Sequence, residues 1–273
     1  MDDRPVFDAT VAVLTADRLP ALRRLIAALG RQSVAPREIV VVDNGTTDAT
    51  ARWLREARLP RVRRIEGGRD LDFAAARTRA VAEAGGEWIV FIDDDCVPAP
   101  GWLARAAELA PGLDALGGPV LAFRALPDPP GFDPETGWAV GLSTPGAFGP
   151  DAGYTVLPQT ANLAVRRRVL LEHPFQTLDA ASLGDGELAR YAAGREDAEI
   201  WTRLRLLGFR TRFDPAFVVL HDIPPERLER RYILERMRHD AQAAAARTPP
   251  PRPLTRAIAD VAAGVGAWRP RPA

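Results

Sequence analysis

Lysine is absent from this chain of 273 residues, so all 36 of its basic side chains are arginines. A Walker A phosphate loop and Schiff-base catalysis both require a lysine, and the sequence therefore excludes both. Cys96 is the only cysteine, which excludes an intramolecular disulfide and a cysteine-based zinc cluster. Because no histidine lies near it in sequence, Cys96 is expected to be a small buried residue rather than a nucleophile.

A net charge is also absent, because 36 acidic residues balance the basic ones. This balance gives no reason to expect nucleic acid as a partner. No run approaches the ~18 apolar residues of a membrane span. The acidic start, "MDDRPVFDAT", lacks the basic-then-apolar order of a signal peptide. The expected location is the cytoplasm, either free or peripheral at the inner membrane face.

Strand and helix patterns alternate through the first half of the chain. Residues 9–15 have a strand pattern, and apolar side chains at helical spacing follow from Leu19 to Leu29. The alternation continues through "REIVVVDNG", "DFAAARTRAVAEAG" and "EWIVFIDD". Apolar strands that alternate with helices are typical of a mostly parallel sheet with helices on both faces. We therefore predict a Rossmann-like α/β fold, with a C-terminal helical extension.

The second half of the chain is less regular. Residues 124–158 are rich in proline and glycine and carry Trp138, Phe148 and Tyr154, which favours an ordered flap facing a substrate or, equally, a loop anchored to the body. A short strand and helix follow in "QTANLAVRRRVLLEH", then a helix in "REDAEIWTRLRLLG". A hairpin or strand pair ending at His221 is predicted after that helix.

Polar side chains stand where the predicted parallel strands end, and parallel α/β sheets bind ligands at that edge. The most notable group is Asp93, Asp94 and Asp95, which follows the apolar "WIVFI". In an extended chain Asp93 and Asp95 share one face, while Asp94 points elsewhere. Two such carboxylates suit Mg²⁺ or Mn²⁺ shared with a phosphorylated substrate. The alternative is that these residues serve only as turn and cap residues.

Three motifs in order, "VVDNGTTDAT", "FIDDDCVP" and "GREDAEIWTRLRLLGFR", resemble the family 2 glycosyltransferases. These are inverting enzymes of the GT-A fold that use a nucleotide-diphospho-sugar, and the resemblance runs from about Thr10 to His221. It implies a Mn²⁺ or Mg²⁺ cofactor. It also implies transfer of a single sugar to a glycan, lipid-linked or small-molecule acceptor.

The resemblance implies a role for each matching residue. The metal ligands would be Asp95 and His221. The catalytic residues would be Asp197, as general base, and its neighbour Glu196. The nucleotide-sugar-binding residues would be Thr15, Asp43, Asn44, Asp93 and Asp94. The acceptor and sugar pocket would include Asn162 and Arg166.

Several alternatives stay open at this point. Glu196 and Asp197 begin a helix, where acids are favoured without catalysis, and His221 could be a turn residue. "FIDDDCV" also fits the nucleophile motif of haloacid-dehalogenase-like phosphotransferases, although three strands precede it and lysine is absent. A nucleotidyltransferase would open with a glycine-rich phosphate loop, which "VLTADRLPAL" lacks. A non-catalytic GT-A-like binding scaffold is the third alternative.

The predicted domain organisation has four parts. Residues 1–222 form the catalytic domain, with a nucleotide-binding half (1–123) and an acceptor-binding half (124–222). An arginine-rich helix (223–247), a proline-rich linker (248–253) and an amphipathic C-terminal helix with its tail (254–273) follow. Peripheral membrane contact or a homodimer through the C-terminal helices is the expected use of this end of the chain.

Overall fold

The fold was described from a computed structural model. The described residues are 2–47, 49–57, 59–68, 71–126, 134–143, 158–176 and 196–247. Their strands are β1 (Val6–Thr15), β2 (Ala35–Asp43), β3 (Val62–Glu66), β4 (Trp88–Phe91), β5 (Cys96–Pro98), β6 (Ala115–Gly117), β7 (Val120–Ala122), β8 (Leu163–Arg166), β9 (Thr211–Phe213) and β10 (Val219–His221). Their α-helices are α1 (Leu19–Gly30), α2 (Ala49–Glu56), α3 (Phe73–Glu83), α4 (Trp102–Leu109), α5 (Arg167–Glu172), α6 (Glu196–Leu206) and α7 (Arg230–Arg247). Short 3₁₀ helices span Ala110–Gly112, Pro134–Val140, Thr160–Asn162 and Pro225–Leu228.

A seven-stranded sheet in the order β3-β2-β1-β4-β8-β6-β9 forms the body of the molecule. The four strands β3, β2, β1 and β4 are parallel to one another. Strand β8 runs antiparallel to both β4 and β6, and β9 is parallel to β6. The predicted mostly parallel sheet is thus confirmed, and its parallel half brings the carboxyl ends of β1, β2 and β4 to one edge.

Side chains from successive positions of each strand enter two separate cores, as the two-residue period of a strand requires. Val11 and Val13 pack on one face with helices α1 and α4. Ala12 packs on the other face with α3, α5 and α6, together with Val40 and Val42 of β2. Fully burying a side chain of this kind contributes about 1.5–3 kcal/mol. The predicted helices on both faces of the sheet are confirmed.

A second, three-stranded sheet in the order β5-β10-β7 lies beyond the end of β4. Strand β10 is antiparallel to β5 and parallel to β7. Strands β9 and β10 follow one another in the sequence, but β9 belongs to the large sheet and β10 to the small one. They therefore do not form a hairpin. The sequence patterns also failed to indicate β5, α4, β6 and β7, which are short.

Helix α7 begins with the arginine-rich segment and packs against the 3₁₀ helix Pro134–Val140. A small apolar cluster joins them and contains Val140, Leu142, Ile223 and Ile233. Among the described residues, none of the helices combines the length and apolarity that crossing a bilayer would take. The predicted linker (248–253), the C-terminal helix (254–273) and the flap residues Phe148 and Tyr154 lie outside the described residues.

Candidate active site

A cavity of about 670 Å³ opens at the carboxyl ends of the parallel strands. Its volume is in the range of small-molecule sites. Four carboxylates and four guanidinium groups line it, together with the imidazole of His221. The acids are Asp93, Asp94, Asp95 and Asp197, and the arginines are Arg18, Arg77, Arg227 and Arg236. The sequence-predicted edge of the sheet is therefore where the charged groups of both signs meet.

Asp95 and His221 come together because two strands of the small sheet pair next to them. Asp95 immediately precedes β5, and His221 ends β10 opposite Cys96. The backbone amide of Asp222 donates a hydrogen bond of 2.9 Å to the carbonyl of Asp95. As a result Nε2 of His221 lies 3.5 Å from Oδ2 of Asp95, and both side chains are largely buried. Cys96 is buried, as its sequence context predicted.

Asp94 does not point away from the site, contrary to the alternation expected for an extended chain. Strand β4 ends at Phe91, and the backbone turns at Asp94 and Asp95. Oδ2 of Asp94 accepts a hydrogen bond of 2.7 Å from the hydroxyl of Thr15. The expectation that Asp93 and Asp95 share one face, with Asp94 on the other, requires an extended backbone as far as Asp95. The turn at Asp94 and Asp95 breaks this alternation. Asp94 and Thr15 instead join the ends of β4 and β1 at the cavity wall.

Arg18 supplies the positive charge closest to these acids, and the sequence reasoning missed it. Its Nη1 lies 3.1 Å from Oδ1 of Asp94 and 2.8 Å from Oδ2 of Asp95. One guanidinium nitrogen thus bridges two adjacent carboxylates. Its sequence position was a usable signal, because Arg18 follows the end of β1 at the same sheet edge as the aspartates.

Asp93 faces a second arginine that the sequence reasoning also missed. Nη2 of Arg77 lies 4.0 Å from Oδ1 of Asp93. Arg77 is itself buried, with its guanidinium over the rings of Phe73 and Phe175 at 5.6 and 5.9 Å. These cation–π contacts hold a charged group inside the fold. Helix α3 therefore delivers a positive charge to the cavity from the sheet face opposite α1.

The three adjacent carboxyls differ in their proton affinity. Burial raises the pKa of Asp94 to about 6, and the hydrogen bond from Thr15 and the charge of Arg18 offset only part of this effect. Surrounding protein also raises the pKa of Asp93, although 46% of its side chain is accessible from the cavity. Burial acts the same way on Asp95, but the contact with His221 and the charge of Arg18 outweigh it and lower the pKa of Asp95. Asp95 is therefore the acid best suited to stay ionised.

Asp197 lies in the first turn of helix α6, half-buried, and lines the same cavity as the aspartate group. Its negative charge is close enough to contribute to the raised pKa of Asp93. Tertiary structure thus brings Asp197 to acids about a hundred residues earlier in the chain. Glu196 begins α6, and its side chain lies outside the described part of the chain.

Asp43 and Asn44 end β2, but only Asn44 lines the cavity. The carboxylate of Asp43 is buried, accepting a hydrogen bond from the amide of Thr46 at 2.9 Å and two from Arg64 at 2.7 and 3.0 Å. These bonds outweigh burial and lower the pKa of Asp43. Asn44 donates to the carbonyl of Leu71 at 3.2 Å, while its buried Oδ1 has no hydrogen-bond partner among the described residues. The role of Asp43 in nucleotide-sugar binding stays a prediction.

The structure places Asn162 elsewhere than in an acceptor pocket. The side chain is fully buried, and its Nδ2 donates to the carbonyls of Pro119 (3.0 Å) and Phe217 (2.6 Å). Its Oδ1 accepts a hydrogen bond of 2.9 Å from the indole of Trp102. Gly118 makes this packing possible, because an added Cβ would collide with the backbone of Phe217. Asn162 therefore connects the two sheets and does not line the cavity.

Arg166 also lies away from the cavity, at the end of β8. Its guanidinium donates to the carbonyls of Leu113 (2.8 Å) and Ala110 (3.0 Å), and it pairs with Glu87. The same group stacks over the ring of Trp88 at 4.9 Å. These contacts fasten the 3₁₀ turn after α4 to the large sheet. "NLAVRR" is thus a structural segment in this chain, and the neighbouring Thr160 and Ala161 line the cavity instead.

Part of the cavity wall is built from the segment after residue 134 and from α7. Trp138 and Tyr232 line it and belong to the small apolar cluster. Gly141 has φ of +79°, and a Cβ added there would lie 3.1 Å from Cε1 of His221. A glycine is required at this point because the backbone presses against the imidazole ring. The segment therefore supports the Nδ1–Cε1 edge of the His221 ring.

The donor set was tested for its fit to a divalent cation. Ligands bound to one Mg²⁺ at about 2.1 Å lie about 3 Å apart, and the 3.5 Å between Asp95 Oδ2 and His221 Nε2 is close to this separation. Among the described residues no group of three His, Cys, Asp or Glu side chains forms a complete protein cage. Mg²⁺ commonly uses only one or two carboxylates and completes its shell with water and phosphate oxygens. The residues present therefore fit a metal ion shared with a phosphorylated ligand.

Comparison with known proteins agrees with this geometry. Residues 10–123 match the model of glycosyl transferase family 2. N-acetylglucosaminyl-diphospho-decaprenol L-rhamnosyltransferase of Mycobacterium tuberculosis is 29% identical over 121 residues, which cover 39% of each chain. The chain aligns with less than half of the length of the curated relatives that it matches.

Solved structures share the fold over more of the chain. Staphylococcus aureus TarS in complex with UDP-GlcNAc has a TM-score of 0.54 and 18% identity, covering 86% of this chain and 66% of its own. The mannosyltransferase PcManGT of Pyrobaculum calidifontis, in complex with GDP-Man and Mn²⁺, has a TM-score of 0.53 and 19% identity, covering 98% and 82%. The family match favours a glycosyltransferase over the haloacid-dehalogenase alternative. Residues 10–123 are therefore similar to glycosyl transferase family 2, and the chain has the GT-A fold of the glycosyltransferase structures that it resembles.

Proposed function

We propose that this chain transfers a single sugar from a nucleotide-diphospho-sugar to an acceptor hydroxyl, with inversion at the anomeric carbon. The observation that carries the proposal is that Asp95, His221 and Asp197 line one cavity at the nucleotide-binding edge of the sheet. Asp95 and His221 can hold the diphosphate end of the donor, and Asp197 can act on the acceptor. The acceptor would be a glycan, a lipid-linked molecule or a small molecule.

Residues of both signs would bind and orient the donor. Asp95 and His221 would hold Mn²⁺ or Mg²⁺, which when bound supplies a Lewis acid for the charge that develops on the leaving diphosphate. Arg18, Arg77 and Arg227 add positive charge to the same cavity. Such preorganised charges stabilise a developing anion more strongly inside a cavity than in water.

Asp197 would accept the proton of the acceptor hydroxyl as that oxygen attacks the anomeric carbon. A carboxylate within about 3 Å of the hydroxyl can serve as general base. A direct attack on the face opposite the leaving group inverts the configuration. Half-burial at the start of α6 leaves the Asp197 side chain accessible to an acceptor that enters over Trp138 and Tyr232.

The domain boundaries belong to the same proposal. Residues 1–123 would bind the nucleotide and 124–222 would bind the acceptor. The 3₁₀ helix Pro225–Leu228 and the first turns of α7 would complete the acceptor side, because Arg227, Tyr232 and Arg236 line the cavity. Residues 254–273 would provide peripheral membrane contact or a homodimer interface.

A thermal-shift screen tests the proposed donor. The full chain would be heated with UDP-, GDP- and dTDP-sugars, each with Mn²⁺ or with EDTA. A ligand at a hundred times its Kd stabilises a protein by about 2.7 kcal/mol, which for a domain of this size raises the Tm by about 5–10 °C. We expect that rise with one nucleotide only, and only with Mn²⁺. If no nucleotide-sugar shifts the Tm or is hydrolysed, the chain is a binding scaffold rather than this enzyme.

Gly141→Ala tests the support of His221. The methyl group would lie 3.1 Å from the imidazole, in a backbone conformation that alanine rarely adopts. We expect Mn²⁺-dependent nucleotide binding to weaken about tenfold, because the ring can no longer keep its present position beside Asp95. Calorimetric titration of the nucleotide with and without Mn²⁺ measures this effect. Gly208→Ala is the matched control, since Gly208 also has a positive φ (+80°) and nothing lies within 4 Å of its added Cβ; an unchanged affinity in Gly141→Ala would contradict the assignment.

A further inference from the structure

Arg18 contacts the same oxygen of Asp95 that faces His221. Oδ2 of Asp95 is the oxygen that faces His221, at 3.5 Å from Nε2. Nη1 of Arg18 contacts that same oxygen at 2.8 Å. The guanidinium therefore occupies the carboxylate oxygen through which Asp95 and His221 would share a divalent cation.

Two cations cannot share this oxygen without a cost. Like charges a few ångströms apart repel, and the repulsion is screened less in a partly buried site than at the surface. Only 12% of the Asp95 side chain and 5% of the Asp94 side chain are accessible, so water can do little to reduce the repulsion. Arg18 must therefore move before a metal ion binds at full strength.

Arg18 is free to make this movement. Its side chain is 44% accessible, in contrast to the carboxylates that it contacts. Its backbone is held in place, because the Arg18 carbonyl accepts the first hydrogen bond of α1, from the amide of Leu22 at 3.0 Å. The guanidinium can thus leave the aspartates while its Cα stays at the cavity wall, where an incoming diphosphate would offer it new anionic oxygens.

We propose that Arg18 is an exchangeable counter-ion: it neutralises Asp94 and Asp95 in the empty protein and moves to the donor diphosphate when the divalent cation takes its place. The inference rests on the metal-dependent transfer proposed above. It adds that metal binding and the release of Arg18 from the aspartates accompany donor binding. Metal alone binds weakly, because it is repelled by the Arg18 guanidinium at Asp95. Metal and nucleotide bind cooperatively, because the diphosphate draws Arg18 away from Asp95 and the metal ion frees Arg18 to contact the diphosphate. Coupling of this kind is reciprocal between the two ligands.

Arg18→Gln is the decisive variant, and Mn²⁺ alone is the first probe. Electron paramagnetic resonance of free Mn²⁺ would give its Kd for the full chain without nucleotide. We expect the variant to bind Mn²⁺ about tenfold more tightly than the native protein, a difference of about 1.4 kcal/mol. Adding UDP or GDP should then tighten Mn²⁺ binding strongly in the native protein and only weakly in the variant.

Two further variants separate this effect from a general loss of positive charge. Arg23→Gln removes the same charge from the same helix, but Arg23 is exposed and stacks on Trp53 at 5.4 Å, outside the cavity. Its Mn²⁺ affinity should equal that of the native protein. Arg18→Lys keeps the charge and should resemble the native protein more closely than Arg18→Gln. Melting temperatures of all variants verify that the fold is intact.

The outcomes distinguish the inference from the proposed function. Equal affinity of the native protein and Arg18→Gln for Mn²⁺ alone would overturn the role of Arg18 while leaving metal-dependent transfer intact. A rise in affinity that Arg23→Gln shares would overturn it as well. Failure of Mn²⁺ to bind any form of the protein, with or without nucleotide, would overturn both the metal dependence and this inference.

Discussion

Asp197→Asn is expected to lower the turnover number of sugar transfer by about a thousandfold, because general base catalysis typically contributes 10²–10⁴ to a rate. The amide has nearly the shape of the carboxylate but cannot accept the proton of the acceptor hydroxyl. Metal-dependent nucleotide binding should stay unchanged, since the variant leaves Asp95 and His221 intact. Single-turnover transfer and calorimetric nucleotide binding, measured on the same preparation, separate the two effects.

Glu196→Gln decides which of the two adjacent acids is the base. Both begin helix α6 and both would interact favourably with its dipole. If Glu196→Gln loses transfer and Asp197→Asn keeps it, the assignment moves to Glu196. If both retain full turnover, neither acid is the base. Asp8→Asn, which breaks only the exposed pair with Arg37, controls for the loss of one negative charge.

Asp95→Asn should weaken both metal and nucleotide binding, and we expect the Mn²⁺ affinity in the presence of nucleotide to fall at least a hundredfold. The substitution removes a ligand charge, and ligand and supporting residues of metal sites commonly contribute factors of 10–100 each. It also removes the partner of His221 and one of the two partners of Arg18. Transfer should fall in parallel with binding, unlike in Asp197→Asn.

Asp93→Asn is the natural comparison for Asp95→Asn. Asp93 lies 4.0 Å from Arg77 and opens to the cavity, so its loss should weaken nucleotide binding less than the loss of Asp95. Mn²⁺ binding is measured by paramagnetic resonance for both variants, at a temperature where each is folded. Native Mn²⁺ affinity in Asp95→Asn would contradict its role as metal ligand.

The fold was largely predictable, because long amphipathic and apolar patterns determine α1, α3, β1, β2 and β4 independently of distant contacts. Strands β5, β6 and β7 were not predictable, since each has only three residues and forms by pairing with partners far along the chain. The prediction that Asp94 points away from the site was wrong for a related reason. A two-residue period holds only while the backbone stays extended, and the turn after β4 ends it.

The acids of the site were easier to identify than its arginines. Asp93, Asp95 and Asp197 stand in motifs whose order is distinctive, and all three line the cavity. Arg18 and Arg77 are two of 36 basic residues, and only tertiary contacts show which of them meet the aspartates. Asn162 was predicted to line the acceptor pocket from its place in a motif. Its buried side chain instead makes three hydrogen bonds within the protein.

The pairing of β5 with β10 also has a consequence for the order of folding. Its register joins Val97 to Leu220, so the contact that brings His221 to Asp95 closes a very long stretch of chain. Contacts of such large sequence separation form late, because loop closure opposes them until neighbouring structure has been built. During synthesis residues 1–123 can therefore collapse while the chain is still growing. The contact between Asp95 and His221 then forms only after β10 (Val219–His221) has been made.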